Sequence, residues 1–599
     1  MDKRTILAFV IIGIILILTQ SNWYKKNVMG IKKIEHVATD QDSSIVEYTI
    51  KDTSQLVQKK EIPKIETNKE IKEYGKISLR ESDTVGSGKD IVINTDNYQA
   101  IFSTKGAIVK SWQLKKYYYD KQKGSLVQLI KDDGVGNLGI IFPTEEDTLF
   151  TYNYVFIADK NKINLSERKT SESITFELAL GDNKKVRKTF TFYNDEYSID
   201  LKIELINLGD VISGQKYTLA WLSGLSYTEV NIDEDMNNSK AYIFTGGDKE
   251  ELKLPGKPNE RKQTSEVEGK IDWVGIRTKY FASVIFPETE DDISACLTGE
   301  TFPLEKKKVI KNFAAYLKMK IPGSERSNFS HDFKIYLGPL DYSIVKEYHP
   351  GFDKIMGYGP FIIRPFSKLT IWVFKFLHSF IPNYGLVLIL FSILVKIVVY
   401  PLTRKSYVSM REMQKLQPLM GELKEKYGKD PQRLNKETMK LYKEHGVNPI
   451  SGCLPMLLQM PLLWSVFLVF RNTIQLRQAP FVWWINDLSA PDTILLPFSL
   501  PFIGNALHII PLFMGITMFL QQKMTMKDPK QKAMVYFMPI FLTFIFYKFP
   551  SGLNLYYTLF NIFTVIQQKI TPDKKEEDAV NLQKVVIAKK TKNKKPTKK

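Results

Sequence analysis

Two cysteines in 599 residues, Cys296 and Cys453, leave no material for a disulfide framework or a Cys-based metal site. The six histidines stand singly, without an HExxH or any paired ligand spacing. No complete P-loop occurs; GSGKD at Gly86–Asp90 lacks the first glycine and the final hydroxyl residue. The chain therefore carries no signature of a metalloenzyme or an ATPase, and no catalytic residue, metal or cofactor is expected. Acidic residues are missing from the apolar runs after Tyr384. A sequence-reading nucleic-acid module is excluded as well. The net charge is +19, but much of it flanks apolar runs or lies in the C-terminal tail. That distribution belongs to membrane topology or to an RNA-facing tail.

What is present falls into blocks. A basic start, Asp2-Lys3-Arg4, precedes the apolar run Ile6–Leu18, and Trp23 and Tyr24 follow it. Residues 1–24 read as a signal anchor retained as a transmembrane helix. Residues 25–90 are rich in Lys, Glu, Ser and Thr and form a flexible linker that buries too little apolar area to fold alone. From 91 to 345 the pattern has period two. Ile174, Phe176, Leu178 and Leu180 alternate with polar or small residues, as do Tyr197, Ile199, Leu201, Ile203 and Leu205. Alternation of this length predicts a large all-β sandwich.

Residues 358–380 read as an amphipathic helix. Arg364, Lys368, Lys375 and Ser379 share one face opposite Phe, Ile, Leu, Trp and Val. Such a helix lies in a membrane interface or packs on the sandwich, and the adjoining span favours the interface. Residues 384–568 then hold five apolar segments: Tyr384–Thr403, Cys453–Phe470, Ile509–Gln521, Val535–Phe549 and Leu553–Gln567. With the first helix the fold class is a multi-pass α-helical membrane protein of six spans carrying an all-β domain. Lys and Arg total eleven in Arg404–Asn448 and eleven in the tail after Gln568. The alternate loops are poor in them. The positive-inside rule then puts both termini in the cytoplasm and the sandwich outside. Residues 404–448 read as a cytoplasmic helical hairpin, with Pro418 interrupting one helix and Asp430-Pro431 starting the next. It is either a spacer or a docking element for a partner chain.

The run FSILVKIVVYPL sets Lys396 inside the first of these five spans, ~10 Å from its cytoplasmic end at 1.5 Å per residue. A lysine there costs roughly 2.5–3.5 kcal/mol on insertion scales unless it snorkels or faces a wet cavity. Polar residues on other spans could line such a cavity. Ser392 is one turn back, Gln459 lies between Pro455 and Pro461, and Tyr557, Asn561, Thr564 and Gln568 form a stripe. With no carboxylate in these spans, the ammonium would await one from another chain. A secondary transporter is the alternative, but repeated halves and further intramembrane ionisable groups are lacking. A sugar-active enzyme in the sandwich would need positioned acids and bases, and His331 is the only histidine in Ile91–Leu340.

The stretches NPISGCLPMLLQMPLLW, LRQAPFVWWINDLSAPD and FPSGLNLYY, with the basic tail at 569–599, resemble the YidC membrane-protein insertase family. GPLDY (Gly338–Tyr342) and KYFASVIFP (Lys279–Pro287) resemble its periplasmic domain. The resemblance implies an inner-membrane insertase and chaperone with a supersandwich periplasmic domain and a hydrophilic groove. It implies nascent hydrophobic membrane proteins as substrates, the lipid bilayer and the Sec translocon as partners, and a ribosome contact through the tail. Gln459, Tyr556 and Thr564 fall where that family has groove or substrate-contacting residues. Lys396 stands where it typically has arginine; the charge is kept and the bidentate fork is lost.

Overall fold

A computed structural model describes residues 73–74, 77–78, 86 and 88–570, apart from 132–135, 182, 256–258, 290, 305–307, 322–327, 447–453, 501–503 and 526–531. The expected anchor at 1–24, nearly all of the linker at 25–90 and the tail from residue 571 lie outside the described residues. The account concerns the unit formed by Lys69–Pro529 and Val535–Lys599.

Strands fill the interval from Asp90 to Pro339, as the alternation predicts. They form a nine-stranded, a six-stranded and a five-stranded sheet. In the largest, Ser171–Ala179, Lys185–Tyr193, Ser198–Ile206 and Asn328–Pro339 run antiparallel side by side. Their inward positions include Ile174, Phe176, Phe190, Ile199, Leu201 and Ile335, all buried. Trp112, Trp221 and Trp273 complete a core continuous with that of the helices. Removing such side chains from water, at roughly 25 cal/mol per Å² of apolar area, drives the layers together.

One inward position holds a lysine. Lys188 is fully buried, and its Nζ donates to the carbonyls of Gly106 (2.9 Å), Ala107 (3.1 Å) and Leu138 (2.7 Å). Ala107 and Leu138 have left-handed backbones, φ 47° and 65°. The ammonium thus ties together carbonyls from two separate segments of the chain. Burial lowers its pKa to about 7.

Ten α-helices are described: α1 (Ile232–Asn238), α2 (Tyr342–Tyr348), α3 (Arg364–His378), α4 (Tyr384–Lys415), α5 (Gln417–Tyr427), α6 (Pro431–Glu444), α7 (Leu454–Asn472), α8 (Ile509–Thr525), α9 (Lys532–Phe546) and α10 (Ser551–Ile570). Among the described residues, one helical stretch, Tyr384–Pro401 in α4, is long and apolar enough to cross a bilayer. Met460–Asn472 and Val535–Phe546 are shorter apolar stretches. α4 does not stop at Pro401 but runs on to Lys415. The interruption expected at Pro418 comes at Leu416, with Pro418 in the first turn of α5, where its missing N–H costs nothing. Asp430 caps α6 by accepting from the N–H groups of Gln432 and Arg433, and Pro431 opens the helix. Thr493–Leu500 and Gly504–His508 form a β-hairpin between α7 and α8 that the apolar pattern does not predict. Just before it, Asp492 accepts from the N–H groups of Ile509 and Ile510, both at 2.8 Å, and so starts α8.

Candidate substrate groove

α10 carries the polar stripe, and α4 and α8 pack against it. Asn561, Thr564, Gln567 and Gln568 are all buried on the packed side. Asn561 Nδ2 donates to Thr517 Oγ1 of α8 at 3.3 Å. Gln567 Nε2 donates to Thr403 Oγ1 of α4 at 2.8 Å, and Gln568 Nε2 to Thr525 Oγ1 of α8 at 2.8 Å. Polar groups inside an apolar bundle are satisfied across helices, which fixes their register.

Lys396 enters this arrangement from α4 and is half-buried. Its ammonium donates to Thr564 Oγ1 and lies 3.6 Å from the centre of the Phe560 ring. The Thr564 hydroxyl gives its own hydrogen to the Phe560 carbonyl at 2.7 Å, so its oxygen is free to accept from the lysine. Among the described residues no carboxylate lies within ion-pair distance of Lys396. One hydroxyl and one ring face hold the charge without neutralising it, a contact that is stronger where water is excluded. Leu394, Ile397 and Val398, around the lysine on α4, are exposed.

The other predicted residues take different places. Ser392 is buried, and its hydroxyl donates to the Leu388 carbonyl at 2.8 Å, one turn back in its own helix. Tyr556 is buried among the rings of Phe391, Phe470, Phe560 and Tyr557. It forms an aromatic floor toward the N-terminal end of α4. Tyr557 packs edge-on against Phe546 of α9. The side chain of Gln459 lies outside the described residues, although α7 passes through that position.

Three contributors escape the sequence pattern. Phe560 counts as one more apolar residue until the fold sets its face under Lys396. Arg411 and Gln414, on the extension of α4, donate to the carbonyls of Gln568 and Met524 respectively. They line a cavity of about 300 Å³ with Tyr407, Met410 and Thr525 at the C-terminal ends of α4, α8 and α10. Their signal in the sequence is the helical register of α4 continued past Pro401.

Close contacts hold the walls. A Cβ on Gly515 of α8 would lie 2.1 Å from Thr543 Oγ1 of α9, and one on Gly385 of α4 would lie 1.9 Å from the Phe481 ring. The small residue at 515 lets α8 and α9 approach, and that at 385 lets the segment after α7 pack on the start of α4. On its other side α9 exposes Phe537, Ile540, Phe541 and Phe544.

The β domain is tied to the helices by the segment after α7. Arg477 is almost fully buried and donates through Nε to Glu229 Oε1 at 2.7 Å and through Nη2 to the Thr228 carbonyl at 3.1 Å. Burial raises Glu229 to about 7, although Arg477 pulls the other way. Gln475 donates to Asp341 Oδ2 at 2.8 Å, and Lys375 of α3 to Asp341 Oδ1 at 2.7 Å. Burial pushes Asp341 up, but the Lys375 hydrogen bond and charge, with the hydrogen bonds from Ser343, together outweigh it and hold the carboxyl below its ordinary value. Lys368 pairs with Asp353 at 2.8 Å. The basic face of α3 is thus turned onto the β domain, while Phe366, Leu369, Trp372 and Phe376 stay exposed. Packing on the sandwich and presenting an apolar face are compatible, because they use different sides of the helix.

Comparison with known proteins agrees with this division. The family model described as YidC periplasmic domain matches residues 90–373, and that described as 60Kd inner membrane protein matches residues 376–578. The membrane protein insertase YidC of Chlorobium luteolum is 38% identical over 491 residues, covering 81% of this chain and 82% of its own. That of Chloroherpeton thalassium is 34% identical over 579 residues, covering 95% of both. The crystal structure of an active YidC insertase with its first transmembrane domain resolved is 19% identical, covers 82% of this chain and 95% of its own, and superposes with a TM-score of 0.35. With an all-β domain joined to a helical region, and relatives of this identity across most of its length, the chain belongs to the YidC membrane protein insertase family.

Proposed function

We propose that this chain inserts and helps fold hydrophobic proteins in the bacterial inner membrane, using the groove between α4, α8 and α10. One observation carries the proposal. Lys396 is a half-buried ammonium with a hydroxyl and a ring face for company and no carboxylate in reach among the described residues. An acidic residue of a nascent chain meeting it at ~4 Å gains about 4 kcal/mol at an effective dielectric near 20, before desolvation. That is enough to draw a polar tail in and small enough to release it. The exposed apolar side chains of α4 and α9 would receive the hydrophobic segment as it leaves.

In this reading the chain has six spans, both termini are cytoplasmic, and the β domain is periplasmic. Residues 358–380 lie in the interface, 384–568 form the core with its hairpin at 404–448, and the basic tail contacts the ribosome. The chain works alone or with the Sec translocon as a partner. No cofactor is needed, since capture and release rest on charge and apolar burial.

The test is cross-linking of a stalled nascent membrane protein to probes at Gln459, Phe560 and Thr564, together with insertion assays. Lys396→Arg should insert substrates with acidic translocated tails normally, and Lys396→Glu should slow them roughly tenfold or more, since ~1.4 kcal/mol is already a factor of ten. Normal insertion by Lys396→Glu, or no cross-links at these positions, sinks the proposal.

A further inference from the structure

A second charged recess lies on the β-domain side of α3. Its volume is about 560 Å³, and it is walled by a β-hairpin turn, the segment at 353–359 and the first turns of α3. Four cations line it, Lys249, Lys354, Arg364 and Lys368, against two carboxylates, Asp248 and Asp353. Asp353 is already engaged by Lys368 at 2.8 Å. Lys249 donates to the Lys354 carbonyl at 3.1 Å and Lys354 to the Gly247 carbonyl. Each ammonium keeps donors to spare. Arg364 makes no side-chain hydrogen bond or ion pair among the described residues. Burial, then the charge of Arg277, lowers Lys249 to about 7 against the opposing pull of Glu251, so Arg364, Lys354 and Lys368 carry the recess's permanent positive charge. Phe361 and Ile362 at the lip are 86% and 71% exposed, which aligns them with the open apolar side of α3 rather than with any protein core.

We propose that this recess binds the phosphate headgroup of an anionic phospholipid, with the acyl chains lying along the exposed apolar side of α3. The inference rests on α3 lying at the membrane interface. The excess of cations supplies the headgroup site, and Arg364 is the free fork for phosphate oxygens. The apolar lip favours a lipid over a free anion, because a free anion has nothing to cover Phe361 and Ile362.

The purified full-length chain in neutral detergent is titrated with short-chain phosphatidylglycerol, with phosphatidylcholine of equal chain length and with inorganic phosphate. Native mass spectrometry counts what is bound. Phosphatidylglycerol should bind saturably and roughly tenfold tighter than either of the others. Arg364→Gln should weaken it about fivefold, the effect of one basic residue near a lipid surface, and adding Lys249→Gln should weaken it further. Equal binding of phosphatidylglycerol by Arg364→Gln and the wild type overturns the proposal. So does equal affinity for phosphatidylcholine, or phosphate binding as tight as the lipid. Should Arg364→Gln fail to fold, the selectivity of the wild type decides alone. The detergent assay needs no bilayer, so its failure is distinct from failure of the interface placement. Quenching of Trp372 by brominated lipid in vesicles reads that placement separately.

Discussion

Replacing Arg477 by methionine should loosen the β domain from the helices, and the loss should depend on pH in a defined direction. The Arg477 side chain is 3% exposed and that of its partner Glu229 14%, so solvent does little to screen the pair. Removing one member of a buried pair costs about 3–5 kcal/mol when the remaining charge cannot escape. Glu229 can escape by taking a proton. Its pKa in the folded chain is already about 7, against 4.5 for a free side chain. Holding it neutral costs nothing near pH 4.5, and an ionised Glu229 pays up to about 3 kcal/mol near neutrality at 1.36 kcal/mol per unit. A raised folded pKa means that the folded state binds more protons than the unfolded state between these values. The Glu229 contribution is therefore complete below about pH 4.5 and is lost as pH rises through about 7. Arg477→Met raises the pKa further and extends the loss upward. The expected cost of Arg477→Met is about 1 kcal/mol near pH 5 and about 3 kcal/mol near pH 8. Arg477→Met/Glu229→Gln should recover most of it. The assay is thermal unfolding of the detergent-solubilised chain, with protease release of the β domain as a second readout, run as a double-mutant cycle at both pH values. An equal cost of Arg477→Met at the two pH values, or a coupling below ~0.5 kcal/mol, would refute the reasoning.

Lys188→Met should destabilise the β domain by about 3–5 kcal/mol, because three carbonyls lose their donor at a site water does not reach. Denaturant unfolding checks it, and a shift under ~1 kcal/mol would mean the loops find other partners. Gly515→Ala should cost about 1–3 kcal/mol by forcing α8 from α9 at Thr543, with partial rescue by Thr543→Ala. Thermal unfolding of the single and double variants reads this, and no rescue would place the strain elsewhere.

The division of the chain into a β domain and a helical membrane region is legible because burial imposes its period on sequence. Strand alternation over Ser171–Ala179 and Ser198–Ile206 predicts the buried residues that the sheets contain. The Asp430 cap and the start of α8 at Ile509 are legible for local reasons, since caps and turns act within a few residues, whereas the hairpin expected to begin at Arg404 starts only after α4 ends at Lys415. Lys188 is invisible in the same pattern. It sits at an inward position, but the carbonyls that justify it lie 50 to 82 residues away in sequence. Arg477 reads as one loop charge among others until the fold brings Glu229 to it.

The candidate site divides the same way. A lysine in an apolar run and a polar stripe at helical spacing mark Lys396, Asn561 and Thr564 from sequence, because a charge in hydrocarbon is costly enough to demand an explanation. Which of these groups meet is not written in their spacing. Thr564 faces Lys396 while Ser392, on the lysine's own helix, turns back to Leu388. Phe560 becomes a cation partner and Tyr556 a buried floor. Local periodicity determines that a segment is helical and which residues share a side. Contacts between helices far apart in the chain depend on packing angle and register, and only the assembled structure sets those.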